Sequence, residues 1–269
     1  KVAELQATLD KLTSELNAAN AEKDKAVALV EAGQQKLDLA NRLTSALADE
    51  NVRWAEGIEL LTADKELLVG DVLLASAFIS YIGPFTSHFR DGLISRDWVP
   101  FLAKPPSGVA IPMSATANPL SILTTEAQVA SWNSQGLPSD RVSVENGAVV
   151  VNSARWPLMI DPQLQGIAWI KEREAKNNLQ VVRMGAPKTA DIMEKAIENG
   201  TSVLIENMGE SIDAVLMPTV TRATYKKGRS LYVKMGDKDV EYHKNFKLFL
   251  HTKMSNPHYP PEIQAETTL

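Results

Sequence analysis

A phosphate-binding loop is the first chemistry to look for after the apolar run Trp156-Pro157-Leu158-Met159-Ile160-Asp161, which has the character of a buried strand. Such a loop needs converging backbone N–H groups, glycine for close approach, and Lys with Ser or Thr for the outer phosphates and magnesium. The pattern G-x-x-x-x-G-K-[ST] is absent, and the run is followed by Pro162-Gln163-Leu164-Gln165-Gly166. Pro162 has no N–H, and no lysine is placed to supply the charge. The sequence therefore predicts weak nucleotide binding at most and no ATP hydrolysis here.

A second apolar run, Val203-Leu204-Ile205-Glu206-Asn207, ends in a carboxylate. A carboxylate at the end of a strand can hold magnesium or polarise water, but hydrolases of this kind usually carry an Asp-Glu pair there, and this run has one acid. The alternative is that Glu206 and Asp161 each cap the turn or helix that follows. We favour this second interpretation.

The other reactive side chains form no recognisable set. There is no cysteine, no H-E-x-x-H and no G-x-S-x-G, and no two histidines stand at ligand spacing on one helix face. We therefore predict no catalytic residue and no metal site. The four histidines are His88, His243, His251 and His258.

Charge and hydropathy exclude two classes of partner. The net charge is −5 with a pI of about 5.5 and no stripe of Lys and Arg, so the sequence predicts no nucleic-acid partner. No apolar run approaches the roughly 20 residues that a membrane-spanning helix needs. A basic stretch around Gly228 is interpreted as a solvated loop in preference to a binding patch; it comprises Arg222, Lys226, Lys227 and Arg229.

From Arg155 onward, short apolar runs alternate with helical patterns. Strands are predicted at 156–161, 179–183, 202–206 and 247–252, and a hairpin at 230–242 turning at Gly236-Asp237. Helices are predicted at 87–95, 125–135, 163–176, 189–199 and near 211–216. Continuous apolar strands separated by helices are typical of a parallel sheet covered on both faces. The sequence therefore predicts an α/β fold.

The first 83 residues have a different composition. They contain no proline, and 14 acidic against eight basic side chains. Apolar residues recur every 3.5 residues on average, which is the spacing of a left-handed coiled coil. We define the seam as the apolar members of this series: Leu5, Leu9, Leu12, Leu16, Ala19, Ala26, Val30, Leu37, Ala40, Leu47 and Trp54. The pattern predicts one long helix that pairs with another helix.

Four positions of the series are not apolar: Lys23, Gly33, Thr44 and Asn51. They indicate either a coiled coil that tolerates a shift of register or ordinary imperfection. Beyond residue 60 the apolar face broadens, which favours packing on a core, and Gly83-Pro84 is expected to end the helix. The chain does not begin with Met, which suggests a fragment.

Several strings resemble dynein heavy chains, in the region where the stalk returns to the motor ring and in the fifth AAA+ module of that ring. The resemblance covers nearly the whole chain. Its strings are Arg42-Leu43, Glu50-Asn51-Val52-Arg53-Trp54, Gly70-Asp71-Val72-Leu73-Leu74, Tyr81-Ile82-Gly83-Pro84-Phe85, Gly136-Leu137-Pro138-Ser139-Asp140, Arg155-Trp156-Pro157-Leu158-Met159-Ile160-Asp161-Pro162-Gln163, Trp169-Ile170-Lys171 and Thr252-Lys253-Met254-Ser255-Asn256-Pro257-His258-Tyr259.

The resemblance implies that residues 1–67 are the returning coiled-coil stalk helix and residues 68–269 a degenerate AAA+ large α/β subdomain of the P-loop NTPase type. It implies that the module is structural and does not hydrolyse ATP. Vestigial pocket positions, with no cofactor expected in this fragment, would be Asp161, Pro162, Gln163, Glu206, Asn207 and Asn256.

The same resemblance implies the setting. ATP and magnesium would bind other modules of the intact chain. Partners would be the outgoing stalk helix, neighbouring AAA+ modules, a microtubule reached through a tip domain, and dynein intermediate and light chains. The location would be an axoneme of outer-arm type, otherwise the cytoplasm. The alternatives are an active AAA+ ATPase or nucleotide-binding module, and a coiled-coil adaptor.

Overall fold

A computed structural model describes residues 2–269, with side chains for all of these except 3, 4, 7 and 49. The chain divides into two compact units, of which one ends at Lys65 and the other spans Glu66–Leu269. The boundary expected after residue 67 remains a prediction about where the two functional parts meet.

Helix α1 is continuous from Val2 to Tyr81. It contains no proline, and its end before Gly83-Pro84 agrees with the prediction. The leucine, valine and tryptophan members of the seam lie in the first unit with 54–70% of their surface exposed. Within the second unit the same helix buries Leu74 and Phe78 almost completely. One helix therefore carries both an open apolar stripe and a packed face.

The second unit contains a five-stranded sheet with the order β2-β3-β7-β1-β8, in which every pairing is parallel. This arrangement confirms the predicted α/β class. A separate antiparallel sheet has the order β4-β5-β6. The strands are β1 Trp156–Ile160, β2 Gln180–Val182, β3 Ser202–Ile205, β4 Thr224–Lys227, β5 Ser230–Met235, β6 Lys238–Glu241, β7 Lys247–Thr252 and β8 Thr267–Thr268.

Short helices surround the parallel sheet. They are α2 Ser87–Gly92, a π-helical segment Leu93–Trp98, α3 Val99–Ala103, α4 Pro119–Leu123, α5 Glu126–Ser134, α6 Arg141–Asn152, α7 Gln165–Glu174 with a 3₁₀ turn Ala175–Asn177, α8 Thr189–Asn199, α9 Met217–Val220 and α10 Pro261–Glu266. The predicted helices at 87–95, 125–135, 163–176 and 189–199 all have counterparts here.

Each face of the parallel sheet has its own core, because successive side chains of a strand point to opposite faces. On one face Val203 and Ile205 pack with Met193 and Ile197 of α8. On the other, Leu204 and Phe249 pack with residues of α5, α6 and α7, among them Trp132 and Trp169. The sheet is thus covered on both sides, as the apolar strands predict.

Two sequence predictions about local structure need correction, and one helix was not predicted. Residues 211–216 do not form a helix; a turn leads into α9, which begins where Pro218 can occupy the first helical turn. The basic stretch around Gly228 is not a loop throughout, because Lys226 and Lys227 belong to β4. Helix α6 has no counterpart in the prediction.

Within the second unit, two sets of polar contacts join the last part of α1 and the residues after it to other elements. Gly70 N–H donates to Pro112 O at 3.0 Å, and Asp71 Oδ1 accepts from the Ser114 N–H at 2.9 Å. After the helix, the buried Arg90 donates to Gly83 O at 3.0 Å and pairs with the buried Glu145 of α6 at 3.0 Å. These contacts connect the end of α1 to α6.

Candidate functional site

Asp161 follows β1 and its carboxylate lies at the N-terminus of α7. The Gln165 N–H donates to Asp161 Oδ1 at 3.1 Å, and the Ile167 N–H donates to Oδ2 at 2.9 Å. The Asp161 N–H in turn donates to Thr252 O at the end of β7, at 2.9 Å. Asp161 therefore caps the following helix, as the favoured interpretation of the sequence predicts.

The backbone around this carboxylate is shaped to bring it close. Leu164 precedes α7 in the left-handed region, at φ 61°, and its side chain provides no cap. Gly166 approaches so closely that a Cβ there would lie 3.3 Å from Asp161 Oδ2. A larger residue at position 166 would press on the carboxylate, which gives this glycine a physical role.

His251 of β7 lies behind Asp161 and is almost completely buried. Its Nδ1 accepts the Asn207 N–H at 3.1 Å, so the neutral ring carries its proton on Nε2. Nε2 lies 3.9 Å from Asp161 Oδ2 and has no hydrogen-bond partner among the described residues. Burial lowers the pKa of His251, and the nearby Asp161 and Glu206 partly oppose this effect.

Glu206 is not a cap. Its carboxylate pairs with Lys171 Nζ at 3.4 Å and with Arg183 Nε at 3.7 Å, and it accepts no backbone N–H from the described residues. The prediction that it caps a turn is therefore wrong for Glu206. Its neighbour Asn207 takes a left-handed backbone, at φ 53°, which turns its N–H toward His251.

A cavity of about 570 Å³ opens beside the carboxyl end of β1. Asp161, Gln165 and Gly166 form one wall, and Asn146 and Gly147 of α6 are among the residues of another. Of the described residues that line it, Asp161 carries the only charged side chain. An anionic ligand would therefore meet a negative charge and no compensating cation.

The predicted pocket positions do not all lie at this cavity. Asp161 and Asn256 line it, whereas Pro162 and Gln163 are exposed in the turn before α7. Strand β7 ends at Thr252, and Asn256 lies in the loop beyond it. Glu206 and Asn207 are neighbours of His251, and Nε2 of His251 lies 3.9 Å from Asp161 Oδ2. Their role in any ligand binding remains a prediction.

Sequence reasoning did not single out His251 or the α6 residues of the cavity. The role of His251 depends on the parallel pairing of β3 with β7, which brings Asn207 to the imidazole. No local pattern around either residue predicts that contact. In α6, Glu145 is buried, and its place in the core depends on Arg90, a residue far away in the sequence.

The described residues contain neither a metal-binding cluster nor a membrane-spanning helix. Within residues 2–269, no group of three or more His, Cys, Asp or Glu side chains is arranged to hold a metal ion. No helix of the described chain combines the length and the apolar character needed to cross a membrane. The contacts described above at the end of β1 are helix capping and ion pairing.

Family comparisons agree with this architecture. A family model described as the ATP-binding dynein motor region matches residues 130–269. A second, described as the microtubule-binding stalk of dynein motor, matches residues 1–102. Together with the parallel sheet and the long helix, these matches define an AAA+ motor module preceded by a stalk helix. The chain belongs to the dynein heavy-chain family.

Individual relatives are similar over almost the whole chain. The flagellar outer-arm dynein alpha chain of Chlamydomonas reinhardtii is 60% identical over 249 residues, which are 92% of this chain and 5% of that protein. Human dynein axonemal heavy chain 17 is 49% identical over 263 residues, 98% of this chain and 6% of its own length. The ciliary dynein beta chain of Tripneustes gratilla is 51% identical over 251 residues, 93% and 6%. The chain thus spans about one-twentieth of the length of these relatives.

Proposed function

We propose that this chain is a mechanical part of a microtubule-based dynein motor. Residues 1–67 are one strand of the stalk, and residues 68–269 are a structural AAA+ module that does not hydrolyse ATP. The stalk strand carries a displacement or change of register between a microtubule-binding tip and the motor ring, and the module anchors it.

The observation that carries this proposal is the continuity of α1. The helix runs unbroken from the exposed seam to Leu74 and Phe78, which are packed in the second unit. No Gly-Ser-Pro linker separates these two stretches. A helix without a break transmits an axial or rotational displacement because its backbone hydrogen bonds are all retained.

The site at the end of β1 supports a structural role for the module. A carboxylate fills the helix N-terminus at which a phosphate would be bound, and the cavity beside it offers no cationic side chain from the described residues. The sequence carries no G-x-x-x-x-G-K-[ST]. Phosphoryl transfer depends on positioning and on cations at the phosphates, so both requirements are unmet here.

We infer the partners from the same family. The exposed seam pairs with the outgoing stalk helix, and the second unit adjoins neighbouring AAA+ modules of one heavy chain. ATP and magnesium bind in those other modules, and the microtubule is reached through the tip of the stalk. Intermediate and light chains complete the complex. The location is the axoneme of a cilium or flagellum, since the relatives are named as axonemal, flagellar and ciliary.

An insertion tests the relay. Three glycines inserted after Lys65 in the heavy-chain motor that contains this chain should abolish the dependence of microtubule affinity on nucleotide. ATP binding by the other modules should remain. The control is the same insertion after Gly108, an exposed loop residue, which should leave the dependence intact. A motor with the insertion after Lys65 that still releases microtubules on ATP binding would contradict the proposal.

The second candidate is a nucleotide-binding module, which the position of the cavity at the end of β1 favours. Calorimetric titration of the chain with ATP and magnesium distinguishes the two. Binding in the micromolar range would overturn the structural interpretation of the module. No measurable heat of binding is the expected result.

A further inference from the structure

We propose that Asp161 is a built-in anion that occupies an oxyanion site of the module. Its carboxylate takes the place of a phosphate-like group at the N-terminus of α7. Without any nucleotide, Asp161 thereby holds β1, β7 and α7 together, as a bound anion would otherwise do. The usefulness of such a fixed connection for a mechanical relay rests on the proposed function. The occupation of the site by Asp161 is independent of that function.

The first argument is the geometry of the donors. Two N–H groups of the first turn, at Gln165 and Ile167, converge on the two oxygens of one carboxylate. Leu164 in the left-handed region and the close approach of Gly166 give the concave backbone that receives anions in other proteins. The ligand here comes from the end of the strand.

A cap within the same chain shows how an ordinary one differs. Asp140 is itself the N-cap residue of α6, and it accepts the Ser143 N–H at 3.0 Å and the Ser143 hydroxyl at 2.6 Å. Both oxygens bond to Ser143 from the N-cap position itself, and the Val142 N–H also helps to lower the pKa of this carboxyl. Asp161 lies before the N-cap position, which Leu164 fills, and it reaches two residues of α7 from outside the helix.

The second argument is the unused donor of His251. Because Nδ1 accepts a hydrogen bond, the neutral ring presents Nε2–H toward Asp161, 3.9 Å from Oδ2. The Asp161 backbone is near enough to favour the charged imidazole, but no acceptor among the described residues meets hydrogen-bond geometry at Nε2. A buried donor without an acceptor is costly. The Asp161 carboxylate uses its two oxygens on the N–H groups of α7, whereas a tetrahedral oxyanion in its place has further oxygens to offer Nε2–H.

The site therefore has the donors for a phosphate group but is closed by its own carboxylate. Wild-type protein should not bind phosphate here, because Asp161 fills the donors and repels a second anion. Removing the carboxylate should leave two backbone donors and the imidazole N–H open to a free oxyanion. This behaviour distinguishes an anion site from a simple helix cap.

Hydrogen–deuterium exchange of the full heavy chain, read by peptides over residues 163–172, measures the occupation directly. In Asp161→Ala, exchange at the first turn of α7 should become about tenfold faster, as expected for a lost cap. Inorganic phosphate should restore the protection, and chloride at equal ionic strength should not. Wild-type protein should show neither change.

The matched control is Asp140→Ala, which should accelerate exchange over residues 141–145 with no restoration by phosphate. If Asp161→Ala fails to fold, Asp161→Asn decides: its amide oxygen retains one of the two contacts, and phosphate should again slow exchange. Protection in wild-type protein that rises with phosphate would overturn the proposal. The proposal would also be overturned if phosphate slowed exchange in a folded Asp161→Ala or Asp161→Asn protein no more than it does in Asp140→Ala. None of these outcomes depends on whether α1 acts as a relay, which the glycine insertion tests separately.

Discussion

The two stretches of α1 are built from similar residues and have opposite surroundings. Up to Lys65 its large seam residues are 54–70% exposed, whereas beyond Glu66 Leu74 and Phe78 are 1% exposed. The first stretch has a narrow stripe suited to one partner helix, and the second has a broad face suited to a core. Helical continuity alone therefore does not tell which part of a helix is open to a partner helix and which part packs in a core.

Glycines and ion pairs differ between the stretches in the same way. A Cβ on Gly57 would meet nothing within 4 Å, whereas one on Gly70 would run into Pro112 O. Arg53 and Glu50 form an exposed pair on the helix surface, whereas Arg90 and Glu145 form a buried one beside the end of α1. Each contrast can be tested by matched substitutions.

Arg90→Met should have the largest effect. The substitution leaves the Glu145 carboxylate buried with Arg141 as its remaining partner, and it removes the bonds to Gly83 O and Phe85 O. We expect a loss of about 3–5 kcal/mol in the free energy of unfolding. Urea unfolding followed by tryptophan fluorescence measures it. Arg53→Met, the control, should cost less than about 1 kcal/mol. Equal losses of unfolding free energy in the two variants would contradict the distinction between the exposed and the packed stretch of α1.

Leu74→Ala should cost about 2–5 kcal/mol, because it leaves a cavity in a packed region. Leu47→Ala should change the free energy of unfolding by less than about 0.5 kcal/mol in the isolated chain, since its side chain is exposed. Once a partner helix covers the seam, the cost of Leu47→Ala should rise. A seam leucine whose replacement stays neutral in the assembled motor would show that the seam is not an interface.

Gly70→Ala and Gly57→Ala should have opposite signs. Alanine is the better helix former by up to about 1 kcal/mol, so Gly57→Ala should stabilise the chain. At Gly70 the added methyl group meets Pro112 O and would lie 2.7 Å from Met113 Cβ, so the loop at 112–114 must move. We expect a net loss of about 1–3 kcal/mol there, as for other overpacked sites. Thermal unfolding of both variants compares them, and stabilisation by Gly70→Ala would contradict the fixed contact.

Sequence reasoning located the elements whose signal is local. The strand at 247–252 and the helix at 189–199 match β7 and α8 to the residue. The apolar run at 248–250 indicates the strand, and the Gly200 stop marks the end of the helix. Helix α6 was not predicted, and the burial of its central Glu145 depends on Arg90, a partner 55 positions away. Strand β4 is mostly exposed and is defined by its pairing with β5.

The candidate site divides along the same line. Asp161 could be predicted as a cap because an acid directly after a strand and before a helix is a local signal. His251 could not, because its meaning depends on the register that sets β7 beside β3. Glu206 satisfied the same local rule as Asp161, but Lys171 and Arg183 are close enough to pair with it. Glu206 therefore forms ion pairs with residues distant in the sequence and does not cap a turn.

The smallest expected effect is a pH response confined to the second unit. Burial lowers the pKa of His251 below its ordinary value near 6.5, so as pH falls through 6.5 the unfolded chain takes up a proton that the folded chain does not. The free energy of unfolding should therefore decrease from about pH 6.5 downward until the folded pKa is reached. Urea unfolding at a series of pH values should show this slope, and His251→Gln should reduce it.

The first unit is the control for this measurement, because residues 1–65 contain no histidine. Helix content of a peptide covering 2–65 should not change in the same pH window through imidazole titration, whereas the full chain should lose stability there. Asp161 and Glu206 favour the charged imidazole and oppose the effect of burial on the pKa of His251, so the loss of stability should be modest. A full chain whose stability rises as the pH falls through 6.5 would mean that these carboxylates outweigh burial, and that the folded state takes up the proton at the Asp161 site.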